Sequence, residues 1–216
     1  LLSRVAAFAK AKELSFYLVG GFLRDHLLQR QPRAFNVDLA LAARALEVSR
    51  ELAAQLDGRY VCLDEGAKTA RVIVSSGNAR VELDIAEFRG RTIEEDLARR
   101  DFTINALAVP LEVWCTNAEW ITRLIDPLAG QQALSRRLLR ACFPQTFVDD
   151  PVRILRAFRF AVELGCSLDP SLAPLITDAV PGLAKVAGER IREELFATLQ
   201  TDRASWALTQ LNNLGA

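Results

Sequence analysis

An apolar run ending in two glycines most constrains what this chain can fold into. Tyr17-Leu18-Val19-Gly20-Gly21-Phe22-Leu23-Arg24-Asp25 reads as a strand, a tight turn and the start of a helix. Paired glycines let the main chain bend sharply and come close to a ligand. The helix that follows, Phe22 to Gln29, would turn free N–H groups and its positive dipole end toward an anion. Arg24 in its first turn could clamp a phosphate, and Asp25 could cap or pair locally. Gly-Gly-x-x-Arg alone also suits an ordinary strand-to-helix connection. A second strand is expected at Phe35 to Leu41, where alternation puts Asn36, Asp38 and Ala40 on one face and Val37, Leu39 and Leu41 on the other. Asp38 is a hard-oxygen ligand for a divalent metal, whereas Asn36 offers a neutral carbonyl oxygen. The pair of segments reads as a phosphate cradle beside a metal-binding strand.

Further strands are expected at Tyr60 to Leu63 and Arg71 to Ser75, joined by a polar turn at Asp64-Glu65-Gly66, after a helix at Ala42 to Leu56. Arg80 to Ala86 is the next, with Arg80, Glu82 and Asp84 on a polar face and Val81, Leu83 and Ile85 on an apolar one. A carboxylate here could meet Asp38 from a neighbouring strand, which is the minimum for a phosphoryl-transfer metal site. The same alternation suits a solvated face on an edge strand. Asp96 to Asn105 is dense in charge beside Phe102-Thr103-Ile104. Arg100 there could reach a triphosphate, while Asp101 and Asn105 could hold backbone and side chains in place.

Asp149-Asp150-Pro151 opens a strong helix, because proline suits the first helical position. Along it Ile154, Leu155, Phe158 and Val162 form an apolar stripe, with Arg153, Arg156 and Arg159 opposite. Carboxylates followed by arginines could read the edge of a nucleotide base. They also suit a solvated helix with internal ion pairs. Gly188 to Leu195 begins a further amphipathic helix that would pack on this one.

Helix-like and strand-like pieces alternate up to about Pro110, and the chain reads as almost wholly helical past Leu134. Asp126-Pro127-Leu128-Ala129-Gly130 is a turn signal between the two parts. The expected class is therefore α+β, with a mixed sheet flanked by helices over residues 1–130 and an all-α domain over 131–216. Formal net charge is zero, so no global field announces a nucleic-acid partner. The cationic residues are nearly all arginines, the lysines being Lys10, Lys12, Lys68 and Lys185. Arginine suits bidentate contacts to phosphate, although a GC-rich genome would give the same bias. Cys62, Cys115, Cys142 and Cys166 form no C-x-x-C pair, so reduced, cytoplasmic thiols are expected. No apolar run is long enough to span a membrane. Methionine is absent and the chain opens on Leu1, as expected of a piece lacking its true start, and Leu214-Gly215-Ala216 reads as a cut.

Together these stretches resemble the class II tRNA nucleotidyltransferases and the related bacterial poly(A) polymerases. The family's Leu-Val-Gly-Gly-x-x-Arg-Asp motif is matched at Leu18 to Asp25, and its Asp-x-Asp strand by Asn36-Val37-Asp38. Its further carboxylate is matched by Asp84 ahead of Phe88-Arg89, and its Asp-Leu-x-x-Arg-Arg-Asp-Phe-Thr-Ile-Asn-Ala run by Asp96 to Ala106. Its base-reading Glu-Asp-x-x-Arg is matched by Asp149 to Arg153, and its last motif by Glu189-Arg190-Ile191 with Glu194. The resemblance covers a head and a neck, with the body and tail missing.

It implies template-independent addition of C and/or A to a tRNA or other RNA 3′ end, using ATP and/or CTP and Mg2+. Poly(A) synthesis is an alternative within the family. Gly20, Gly21 and Arg24 would hold the triphosphate, and Asp38, Asp84 and Asn36 would form the catalytic and metal positions for two Mg2+. Asp150 and Arg153 would pair with the incoming base, and Arg100, Arg156 and Arg159 would contact the nucleotide. No side-chain general base is needed, in keeping with a chain whose one histidine is His26. Asn36 stands where the family has an aspartate, which removes one charge from the metal position. Three readings follow: an inactivating change introduced to trap a complex, a degenerate nucleotide- or RNA-binding paralogue, or a site working with weaker metal binding. The short segment Arg89 to Asp96 tips the balance toward a partial or altered specificity.

Overall fold

A computed structural model describes residues 1–30, 36–76, 79–116 and 119–216. Within them the chain forms two compact units, one of Leu1–Ala98 with Asn105–Pro127 and one of Arg99–Ile104 with Leu128–Ala216.

The first unit runs α1 (Leu2–Ala11), β1 (Tyr17–Val19), α2 (Gly21–Leu27), β2 (Asn36–Leu41), α3 (Ala45–Leu56), β3 (Arg59–Asp64) and β4 (Thr69–Ser76). It continues through β5 (Ala79–Glu87), α4 (Ile93–Ala98), β6 (Ala108–Pro110) and α5 (Leu111–Thr116). Its strands form one sheet in the order β3-β4-β5-β2-β1-β6. Only the β2–β5 pair is parallel, so the sheet is mixed. A parallel pair needs a long crossover, and here it contains α3 and the β3–β4 hairpin. Val48, Leu52 and Leu56 of α3 are buried, and the helix packs on β3, β4 and β5.

Local chemistry explains where elements begin and end. Gly20 has φ 73° and ψ −142°, a backbone conformation that side-chain-bearing residues avoid, and α2 starts immediately after it. The helix stops short of the expected Gln29, which is left-handed at φ 53°. Helix α3 starts at Ala45 rather than Ala42, because the Glu87 carboxylate accepts the Ala45 N–H at 3.2 Å and caps the helix from another strand. Phe35, expected at the head of β2, lies outside the described residues. Strand β5 is interior, between β4 and β2, and this corrects the edge-strand reading of its polar face.

The second unit contains α6 (Gly130–Ser135), β7 (Leu138–Leu139), α7 (Thr146–Asp149), α8 (Val152–Leu164), β8 (Ser167–Leu168), α9 (Leu172–Ala179), α10 (Gly188–Leu199) and α11 (Ala204–Asn213). It is helical apart from the two-residue parallel pair β7–β8. Helix α8 is its axis, with α10 and α11 packed against it. Phe102 is fully buried, its ring 6.2 Å from Phe147 and 5.9 Å from Phe160. Gly165, at φ 65°, ends α8.

Leu39 is 1% exposed in the middle of the sheet, whereas Leu63 on β3 is 45% exposed. Leu39→Ala is expected to cost about 2–5 kcal/mol in urea unfolding, and Leu63→Ala to stay within about 0.5 kcal/mol.

Candidate active site

The strand registers line up the residues that alternation selected. Arg71 on β4 is opposite Asp84 on β5, Asp84 is opposite Asp38 on β2, and Asp38 is opposite Val19 on β1. Register partners in a sheet share a face, with strands about 4.8 Å apart. Gly20 follows Val19 directly, so the glycine turn leaves the sheet beside Asp38. One step along, Asn36 is opposite Glu82.

Arg71 dominates the electrostatics of this face. Its Nε and Nη2 donate to the two Asp84 oxygens at 2.6 and 2.8 Å, and its Nη1 lies 2.6 Å from Glu82 Oε2. Glu82 is also held by Arg80 at 2.8 Å. Asn36 Nδ2 donates to Asp84 Oδ2 at a long 3.4 Å. The hydrogen bonds to Asp84 hold the Arg71 guanidinium above its ordinary value against the opposing effect of burial, and the charges of Asp84, Glu82 and Asp38 add to them.

As a metal position the face offers hard oxygens from Asp38 and Asp84 and a neutral amide oxygen from Asn36. Among the described residues no group of three or more His, Cys, Asp or Glu side chains is gathered to hold a metal. Asn36 supplies an amide where a further aspartate would supply a carboxylate, and Glu82 on the same face is taken up by Arg71 and Arg80. The donor chemistry fits a hard dication, provided Arg71 yields part of its hold on Asp84.

Arg24 is buried, 6% exposed. Its Nε donates to Asp25 Oδ1 at 2.9 Å and its Nη1 to Asn105 Oδ1 at 2.8 Å. The contacts are internal and tie the glycine turn to the segment that begins at Asn105. A Cβ on Gly21 would come nearest the Arg24 guanidinium, at 3.5 Å, an ordinary contact. Asp96 is also buried and accepts the Arg89 N–H at 3.0 Å. His26 packs against the rings of Trp114 and Trp120, 4.8 and 5.5 Å away.

In the second unit the arginines of α8 are not a solvated face, which corrects that alternative. Arg153 is 9% exposed, and its Nη1 donates to the Thr146 carbonyl and hydroxyl at 3.2 and 3.0 Å. Asp150 Oδ2 lies 3.7 Å from Arg153 Nε and 2.8 Å from Arg190 Nη2. Glu194 of α10 accepts from Arg156 at 2.8 Å and Arg159 at 2.6 Å. Arg156 also reaches Asp101 at 3.4 Å, and Arg159 reaches Glu163 at 2.8 Å. Burial works against the Arg156 charge, but Asp101 and Glu194 outweigh it and raise its proton affinity. Asp101 also accepts the Phe102 N–H at 2.8 Å, so it holds both backbone and side chain. Arg100 is half-buried and belongs to this unit. A cavity of about 460 Å³ beside Asp150 is lined by Asp149, Pro151, Asp178, Lys185 and Arg190 among others.

Sequence reasoning passed over Arg71 and the anchoring role of Glu194. Gly77-Asn78 between two strand patterns is a two-residue hairpin signal, and that loop length alone pairs Arg71 with Asp84. The last motif picks out Glu194 but not what it holds, since its partners lie more than thirty positions away.

Residues 16–140 match the family model for the poly A polymerase head domain, and residues 165–216 match that for the probable RNA and SrmB-binding site of polymerase A. The chain belongs to this family of tRNA nucleotidyltransferases and poly(A) polymerases. It is 40% identical over 204 residues to the CC-adding tRNA nucleotidyltransferase of Geobacter sulfurreducens, covering 94% of this chain and 45% of that protein. It is 35% identical over 206 residues to the A-adding tRNA nucleotidyltransferase of Aquifex aeolicus, covering 88% and 24%. The Thermotoga maritima CCA-adding enzyme complexed with tRNA superposes with a TM-score of 0.81 at 32% identity, covering 96% of this chain and 48% of that one. The chain thus spans less than half the length of these relatives. Nucleotidyltransferases of the family are generally dependent on divalent metals.

Glu194→Ala leaves two α8 arginines with reduced pairing in a largely buried setting. It is expected to cost about 2–3 kcal/mol by denaturant unfolding. Glu189→Ala, at an exposed position of the same helix, should change stability by less than about 0.5 kcal/mol.

Proposed function

We propose that this chain forms the catalytic head and nucleotide-selecting neck of a template-independent tRNA nucleotidyltransferase, which adds C and/or A to an RNA 3′ end from CTP and ATP. The observation that carries the reading is the register that aligns Val19, Asp38 and Asp84 across three strands. It sets the glycine turn next to two carboxylates, the arrangement that in-line phosphoryl transfer needs.

Asp38, Asp84 and Asn36 would hold Mg2+. When bound, the ion supplies activation of the RNA 3′-hydroxyl and neutralisation of the leaving pyrophosphate. The Gly20-Gly21 backbone would carry the phosphate side of the nucleotide, with Arg24 fixing the turn from beneath and Arg100 as a further phosphate contact. Asp150 and Arg153 would read the base. Cytosine and adenine each present an exocyclic amine donor beside a ring-nitrogen acceptor, which suits a carboxylate next to a guanidinium. Uracil and guanine present a carbonyl oxygen where the carboxylate needs a donor. Arg156 and Arg159, through Glu194 and Asp101, would keep the reading helix in place. Cys62, which is exposed, and the half-buried Cys115 and Cys142 form no disulfide, which supports a cytoplasmic protein.

C addition is the first activity to test, since the Geobacter relative is named for it. A second reading, a nucleotide- or RNA-binding module without catalysis, is favoured by Asn36. Poly(A) synthesis is tested by the same assay. Transcripts of tRNA ending before CCA, after C and after CC are incubated with CTP, ATP and Mg2+, beside an Asn36→Asp variant. Extension by the protein as it stands is expected, faster by about a hundredfold in Asn36→Asp because a charge returns to the transition-state site. Binding of CTP or ATP without extension by either protein would support the binding module instead. Asp150→Ala is expected to lower the preference for CTP over UTP by about tenfold or more, the worth of one bidentate base contact.

A further inference from the structure

We propose that Arg71 is an internal cation that occupies the metal ligand Asp84 and passes to Glu82 when a dication arrives. The proposal rests on the reading that Asp38 and Asp84 hold a metal ion. It assigns to Arg71 a positioning role on the ligand, distinct from any contact with substrate.

Three observations carry it. Both Asp84 oxygens already take a short hydrogen bond from one guanidinium, at 2.6 and 2.8 Å, and the Asn36 amide leans on the same carboxylate. A dication needs those oxygens, so ion and arginine compete for them. The third Arg71 nitrogen, Nη1, is already on Glu82 at 2.6 Å. Arg71 can therefore release Asp84 without being left unpaired. Its side chain is 28% exposed, which leaves room for the rotation. Arg71 also brings positive charge to a face on which Asp84 lies opposite Asp38, with Glu82 two residues along the same strand.

The arrangement also gives Asn36 a consequence. An amide at that position donates toward Asp84, whereas a carboxylate would repel it. Asn36 thus adds to the hold on Asp84 that an incoming ion must overcome.

The test is a titration of the purified, nucleotide-free protein with Mn2+, with free ion read by electron paramagnetic resonance. Arg71→Gln removes a like charge at contact distance and is expected to tighten Mn2+ binding by about tenfold or more. Glu82→Gln removes the alternative anchor and should weaken binding several-fold in the parent protein, but not in the Arg71→Gln background. Should Arg71→Gln fail to fold, Arg71→Lys, which keeps the charge but loses the fork, should still tighten binding by about threefold. Unchanged or weaker binding in the foldable Arg71 variant overturns the proposal, as does a Glu82→Gln effect equal in both backgrounds. Asp38→Asn separates the two levels of the account. Loss of Mn2+ in Asp38→Asn with no gain in the Arg71 variants removes only the arginine exchange. Parent-like Mn2+ binding by Asp38→Asn removes the metal site itself, and the exchange with it.

Discussion

The structure depends on one pairing, the parallel register of β2 with β5 that sets Asp38 against Asp84. Among the described residues it is the only parallel pair in that sheet, and it joins strands separated by α3 and a hairpin. Side chains alternate with a period of two, so a slip of one residue in β2 would turn Asp38 into the core and Leu39 out of it, and a slip in β5 would do the same to Asp84 and Leu83. Burial of Leu39 and Leu83, at 1% and 0% exposure, therefore holds the acidic face in register. The apolar face of the sheet is the reason that the polar face has a defined geometry.

Charge is handled in both units by committing arginines to carboxylates inside the protein. Arg24 is fixed by Asp25 and Asn105, Arg71 by Asp84 and Glu82, and Arg156 and Arg159 by Glu194. A buried ion pair adds little net stability, because desolvation offsets the attraction, but breaking one is costly. Such pairs act mainly as geometric constraints, and here they hold the glycine turn, the acidic face and helix α8. The zero net charge of the chain agrees with arginines used largely for internal pairing.

The parts legible in the sequence were those set by local periodicity and turn chemistry. The strand alternation at Asn36 to Leu41 and Arg80 to Ile85, the glycine turn and the start of α8 after Asp149-Asp150-Pro151 all follow from neighbouring residues. The motif order also identified the family before any coordinates. What local pattern could not show was which strands become neighbours and which charges meet. The polar face of β5 looked compatible with an edge strand because nothing near Asp84 reports that β2 covers its other side. The α8 arginines looked compatible with solvation because Glu194 arrives from a helix far along the chain. The start of α3 shifted by three residues because a remote group, the Glu87 carboxylate, intervenes at Ala45.

The most direct test of the central claim is single-turnover incorporation of labelled CTP into a tRNA transcript lacking CCA, comparing the parent protein with Asp38→Asn, with CTP binding measured alongside. The account predicts a fall in the incorporation rate on the order of a hundredfold or more with CTP affinity held within a few-fold. Incorporation by Asp38→Asn within a few-fold of the parent rate would contradict it, because the aligned carboxylates of β2 and β5 would then not be where the chemistry occurs.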